Sequence, residues 1–151
     1  MLVLRKDKLP EGPQWLYELK LDGFRSIAFK SAGKVYLRSR NDNDFSTRYR
    51  EITRAMAALP DDTVIDGEVV VLDETGHPSF NLLQNFGSGV QLVYYTFDLM
   101  VLSGRDVMRE PLETRRGLLE KHVLPFLGEP IRYSQFLPAS LQTLKHCALS
   151  G

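Results

Sequence analysis

Cysteine and histidine are scarce in this sequence. One cysteine, Cys147, in 151 residues excludes an intramolecular disulfide and suggests a reducing compartment. With three histidines beside it, none at ligand spacing to another, a Cys/His zinc site is not expected. No apolar run approaches the ~18 residues of a membrane span. The opening Met-Leu-Val-Leu-Arg-Lys-Asp-Lys turns charged too early for a secretory signal. Repeats, low-complexity tracts and Pro/Gly-rich linkers are missing, which argues for one domain. The rest is ordinary for a soluble globular chain, 43% hydrophobic and 25% charged. A net charge of zero hides an uneven spread. Residues 1–60 hold 12 Lys/Arg and 7 Asp/Glu, and residues 61–151 hold 7 and 12. The split suits either an anionic ligand at the first part or two solvated faces.

Periodicity predicts the elements. Trp15 to Lys20 reads as extended. Phe24–Lys30 and Lys34–Arg40 form a hairpin pattern around Ser31-Ala32-Gly33. Ser46 or Thr47 is expected to cap a helix over 48–58, with Tyr49, Ile52, Met56 and Leu59 inside. Thr63–Asp73 is a β-branched strand ending at Thr75-Gly76. Ser79 caps a short helix through Phe86. Gln91–Leu102 is a long aromatic strand. Pro111 opens a helix to about Leu124 with Leu112, Leu118, Leu119 and Val123 inward. Ile131–Phe136 is a short strand, and Ser140–Leu149 a last helix stopped by Gly151. Strands early and helices interspersed later predict an α+β fold with a mainly antiparallel sheet.

Chemistry concentrates in Glu18-Leu19-Lys20-Leu21-Asp22-Gly23-Phe24-Arg25. A lysine at the end of an extended stretch is held by the sheet while its stem still reaches a ligand. Glu18 and Lys20, two apart, would share a face of a strand. A lysine nucleophile needs neighbouring cations or burial to shed its proton. Guanidinium forks suit the oxygens of a phosphate. From composition alone, the segment reads instead as a surface hairpin with a solvated lysine.

Four segments in order carry a resemblance. Lys20-Leu21-Asp22-Gly23-Phe24-Arg25 fits the Lys-x-Asp-Gly-x-Arg signature of the covalent nucleotidyltransferases, which comprise DNA ligases, RNA ligases and mRNA capping enzymes. Ser39-Arg40-Asn41 resembles the Ser-Arg-Asn-Gly segment, with Asp42 where the family has Gly. Asp66-Gly67-Glu68 is similar to the Asp-Gly-Glu motif, and Tyr94 to Met100 to the aromatic-Phe-Asp-Leu-Leu motif, followed by Gly104-Arg105-Asp106. The bacterial ATP-dependent DNA ligases, including the ligase part of multidomain end-joining enzymes, look most similar. The resemblance implies an ATP-grasp-like nucleotidyltransferase fold, cut short on its C-terminal side.

It also implies roles. Lys20 would attack the α-phosphate of ATP and carry AMP, to be used on a 5′-phosphate at a nick. Glu18 would lie beside the adenine and Phe97 stack on it. Arg25 and Arg40 would contact ribose and phosphates, or the 5′-phosphate. Glu68 would bind the ribose hydroxyl or help place Mg²⁺ or Mn²⁺. Each has a plainer alternative: a surface charge for Arg38 or Arg40, a structural ion pair for Glu68, core packing for Phe97. Asp98 reads as structural, and His77, His122 and His146 as surface or helix residues. The implied partner is nicked or broken double-stranded DNA, and the implied setting is a larger end-joining protein of the bacterial cytoplasm.

The family's later Glu-Gly and Lys-x-Lys motifs do not follow residue 106, and neither does an OB-fold domain. Residues 1–151 are thus expected to be a partial adenylation domain that self-adenylates poorly and cannot seal nicks alone. Nineteen residues before Lys20 are too few for a nicotinamide-binding domain, so ATP is expected rather than NAD⁺. Alternatives are an RNA ligase or capping-type guanylyltransferase, a non-catalytic nucleotide- or DNA-binding remnant, or a Schiff-base lysine enzyme.

Overall fold

The strand Thr63–Leu72 (β3) is buried along almost its whole length, because both of its faces are covered. That explains its unalternated Val69-Val70-Val71 run, the pattern of a central strand. In the computed structural model, which describes residues 10, 12, 15–87 and 89–137, β3 lies inside a mainly antiparallel six-stranded sheet. On one side it pairs with Phe24–Ser31 (β1), and β1 pairs with Lys34–Ser39 (β2). On the other side it pairs with Gln91–Leu102 (β4). Arg105–Asp106 (β5) and Ile131–Tyr133 (β6) share the outer edge of β4, and β6 runs parallel to it. The hairpin turn is made by Ala32 and Gly33, both at positive φ, as a tight β1–β2 connection requires.

One sheet face carries the main core. Ala28, Leu37, Ile65, Val69, Val71, Tyr94 and Leu99 are fully buried there against the helices. Arg50–Ala55 (α1) and a 3-10 turn over Met56–Ala58 bury Ile52 and Met56, while Tyr49 and Leu59 at their flanks are buried as the helical spacing predicts. The helix begins later than expected, and neither Ser46 nor Thr47 caps it. The Ser46 hydroxyl instead accepts the Leu37 N–H at 3.0 Å, and Asp44 binds the Ser46 N–H. Lys30 reaches the other end, donating to the Ala57 and Leu59 carbonyls. Phe80–Gln84 (α2) is capped by Ser79, whose hydroxyl accepts the Leu82 N–H, and buries Leu83. Leu112–His122 (α3) buries Leu119, with Val123 beyond it, but Leu112 is exposed, contrary to the expected stripe. The last described strand ends at Tyr133 rather than Phe136. The expected helix at 140–149 and its Gly151 stop lie outside the described residues.

The opposite sheet face holds a smaller cluster, Val70, Leu72 and Val93, with Leu21 and Tyr95 packed against it. Residues 21–134 form one compact unit and contain all of these elements. A second unit takes in the described residues up to Lys20 and from Gln135 to Leu137. Its only regular feature among the described residues is a bridge between Tyr17 and Leu137. Residues 15–20 therefore form no strand, and Lys20 does not end one: of that stretch, only Tyr17 makes such a pairing. Among the described residues, no helix is long and apolar enough to cross a membrane.

Candidate active site

Four strands contribute to one line of side chains. Arg25 of β1 stands opposite Glu68 of β3, Glu68 opposite Tyr95 of β4, and Tyr95 opposite Arg132 of β6. Directly opposed residues of neighbouring strands share a face, so these groups form a row across the sheet. Arg40, just past β2, extends the row, its N–H donating to the Arg25 carbonyl at 3.3 Å. Motifs far apart in sequence thus meet because register aligns them. Arg38 sits on β2 opposite Ile27 and turns to its own loop, donating to the Asp42 carbonyl.

Arg25 is oriented by Asp66, whose two oxygens accept from its Nε at 3.2 Å and Nη2 at 2.6 Å. Asp66 is almost fully buried, and a buried carboxylate is tolerated only when paired. This bond raises the Arg25 pKa further above its ordinary value, helped by the charges of Asp66, Glu68 and Asp98. The Arg25 guanidinium also lies over the Phe97 ring, 5.6 Å from its centroid, a cation–π distance. Arg25, Glu68, Phe97 and Arg40 are therefore neighbours.

Phe97 arrives there through an irregularity. Gly67 pairs with Thr96 and Asp66 with Asp98, which leaves Phe97 as the extra residue of a β-bulge. Bulges re-aim a side chain and often stand beside active sites. The neighbouring Asp98 is held by Arg115 of α3 through a two-pronged pair at 2.8 and 2.8 Å, the structural role the sequence suggested for it.

Two glycines of the motifs are steric necessities. A Cβ on Gly23 would stand 2.2 Å from the Val69 carbonyl oxygen and 2.7 Å from a Val70 methyl. Only a glycine lets the chain after Lys20 lie directly on β3, with Leu21 anchored in the small cluster beside Val70. A Cβ on Gly67 would stand 2.5 Å from the Tyr94 ring, which crosses that position to donate its hydroxyl to the Ser26 carbonyl at 2.8 Å. Lys20 and Glu18 are both exposed and belong to the second unit, so they are described apart from the row.

Sequence reasoning missed the supporting residues. Asp66 was read only as part of a motif, and Arg115 and Arg116 not at all. Arg116 is buried, and it stands three residues before Leu119 and seven before Val123 on the same helical stripe. That phase was the available signal. Among the described residues, no group of three His, Cys, Asp or Glu could hold a metal by itself. Asp66 and Asp98 are engaged by arginines; Glu68, a carboxylate of the row, fits a divalent ion when it acts together with phosphate oxygens. Mg²⁺ commonly binds that way.

Comparison with known proteins gives the family and the fold. The family model of the ATP dependent DNA ligase domain matches residues 5–136. The multifunctional non-homologous end joining protein LigD of Pseudomonas aeruginosa is 39% identical over 132 residues, covering 85% of this chain and 16% of that protein. The corresponding protein of Mycobacterium tuberculosis is 40% identical over 108 residues, covering 71% and 14%. A solved mycobacterial DNA ligase D complexed with ATP and MES superposes with a TM-score of 0.78 at 32% identity, covering 93% of this chain and 46% of that one. The chain thus spans under half of the solved ligase and about one-sixth of the curated relatives. It has the α+β fold of that ligase, and it belongs to the ATP-dependent DNA ligase domain family.

Proposed function

We propose that this chain is the nucleotide-handling part of an adenylation domain, and that Lys20 is its nucleophile. The observation that carries this reading is the alignment of Arg40, Arg25 and Glu68 on one sheet face beside the bulged Phe97. An aromatic ring suits the π-face of a base, and the guanidinium groups suit ribose and phosphate oxygens. Arg25, fixed by Asp66, meets its ligand in one orientation with little entropy left to lose. In the proposed step the deprotonated Lys20 Nζ attacks the α-phosphorus. A P–N bond forms, the bond to the bridging oxygen breaks, pyrophosphate leaves, and the nitrogen gives up one proton to solvent. The AMP would then pass to the 5′-phosphate of nicked or broken double-stranded DNA. Glu18 would flank the adenine. When bound with the nucleotide, Mg²⁺ or Mn²⁺ would supply charge neutralisation at the phosphates, with Glu68 as its protein contact. The multidomain end-joining relatives support a DNA-repair setting with further partners, and the single cysteine supports a cytoplasmic one.

Residues 1–151 would be a partial domain, consistent with the share of the solved ligase that they span. The test is incubation with α-labelled ATP and Mg²⁺ followed by denaturing electrophoresis. Weak labelling, abolished by Lys20→Arg and not supported by GTP, is expected, with no nick sealing. Labelling that survives Lys20→Arg would refute the assignment of the nucleophile, and preference for GTP would favour a capping-type enzyme.

A further inference from the structure

We infer that Arg116 is a positioning residue for Phe97, with Arg115 as its companion. This inference rests on the reading of Phe97 as the base-stacking residue. The two arginines are adjacent on α3, and they bind successive residues of the bulge. The Nη1 of Arg116 donates to the Phe97 carbonyl at 3.2 Å, while Arg115 grips the Asp98 carboxylate. Arg116 is 2% exposed. Its Nη2 donates to the Ser134 carbonyl and its Nε to the Tyr133 hydroxyl at 2.8 Å. The Tyr133 hydroxyl in turn donates to Glu120, which brings a negative charge toward the buried cation.

A bulge residue lacks the paired partner that fixes its neighbours, so its carbonyl direction must be set by something else. Here a rigid, buried fork sets it, and the same fork ties β4 to the end of β6. The ring on the other side of that peptide is the one facing Arg25. The bond of Arg116 to the Phe97 carbonyl links it to the residue beside the row. Its effect on the nucleotide passes through the orientation of Phe97. An arginine serving the core alone would be better replaced by an apolar residue of similar volume.

The test is calorimetric binding to the full 151-residue chain of two probes, α,β-methylene-ATP, which cannot transfer AMP, and inorganic tripolyphosphate, which lacks a base. Phe97→Leu is expected to weaken the nucleotide about tenfold and leave tripolyphosphate unchanged. Arg116→Met and Arg116→Lys are expected to weaken the nucleotide about three- to tenfold, to spare tripolyphosphate, and to add nothing in combination with Phe97→Leu. A folded Arg116→Lys chain that binds the nucleotide as the parent does overturns the inference while the stacking role of Phe97 stands. Losses that add in full in the double variant, or that strike both probes alike, overturn it as well. Unchanged binding by Phe97→Leu removes the stacking role and the inference with it. Should the Arg116 variants fail to fold, Tyr133→Phe removes the Nε acceptor and the bond to Glu120 while leaving Arg116 itself in place, and is judged by the same outcomes.

Discussion

Asp66 and Asp98 stand opposite each other across β3 and β4, and each is gripped by a two-pronged guanidinium from a different element. Arg25 of the hairpin holds the first, and Arg115 of α3 holds the second. Two like charges at one register position would repel. Two separate arginines compensate them, and in doing so tie the hairpin and the helix to the bulge that carries Phe97.

The two ends of the Arg25–Asp66 pair are unequally buried, with side-chain exposures of 40% and 7%. Removing the arginine strands a carboxylate that water scarcely reaches. Removing the carboxylate leaves a guanidinium that solvent can partly hydrate. Arg25→Met is therefore expected to cost about 2–3 kcal/mol and Asp66→Asn about 1 kcal/mol. Urea unfolding of both variants measures the difference, and equal costs would contradict the asymmetry.

Gly67→Ala would drive a methyl group into the Tyr94 ring and the Tyr95 carbonyl. The ring is fully buried and tethered to Ser26, so it cannot swing away. Overpacking of this kind is expected to cost about 2–3 kcal/mol. Tyr94→Phe, which keeps the shape and loses only the hydrogen bond, should cost about 1 kcal/mol by the same urea assay.

Alkaline pH should destabilise the fold. Burial, then the bond to Glu120, pushes the Tyr133 phenol up to about 12, and burial raises Tyr94 well above its ordinary value of 10. Below about pH 10 these phenols keep their protons whether folded or not, and their contribution is complete. From about pH 10 to 12 the unfolded chain releases protons that the folded chain retains, so stability falls as pH rises. Thermal melting across that window should show the decline, and Tyr133→Phe should make it shallower. A stability that stays level from pH 10 to 12 would contradict the account.

Tyr49 is fully buried, and among the described residues its hydroxyl makes no well-formed hydrogen bond, with the Arg48 guanidinium as the one polar group that influences it. An unmade hydrogen bond of this kind is a cost that phenylalanine does not carry. Tyr49→Phe is expected to leave stability unchanged or raise it by up to about 1 kcal/mol. A clear fall in melting temperature would mean the hydroxyl is satisfied.

Local pattern made much of this protein legible. The hairpin, β3 and the bounds of β4 follow from period-two alternation and β-branched runs, and Ser79 marked its helix by cap chemistry. The stretch before Lys20 misled, because extended composition does not ensure a strand partner. Ser46 misled for a similar reason: its hydroxyl could cap a helix or bind a strand N–H, and only packing chose.

The sequence by itself determined the order and spacing of the motifs, the strand pattern beneath them and the family to which they belong. These depend on neighbours a few residues apart, and composition and periodicity record such neighbours directly. The tertiary structure alone decided that Arg25 is bound to Asp66, that Arg40, Arg25 and Glu68 align, and that a bulge held by Arg115 and Arg116 aims Phe97 at them. The two arginine–aspartate pairs alone join residues 41 and 17 positions apart. Register shifts and burial set them, and a single chain of letters carries neither.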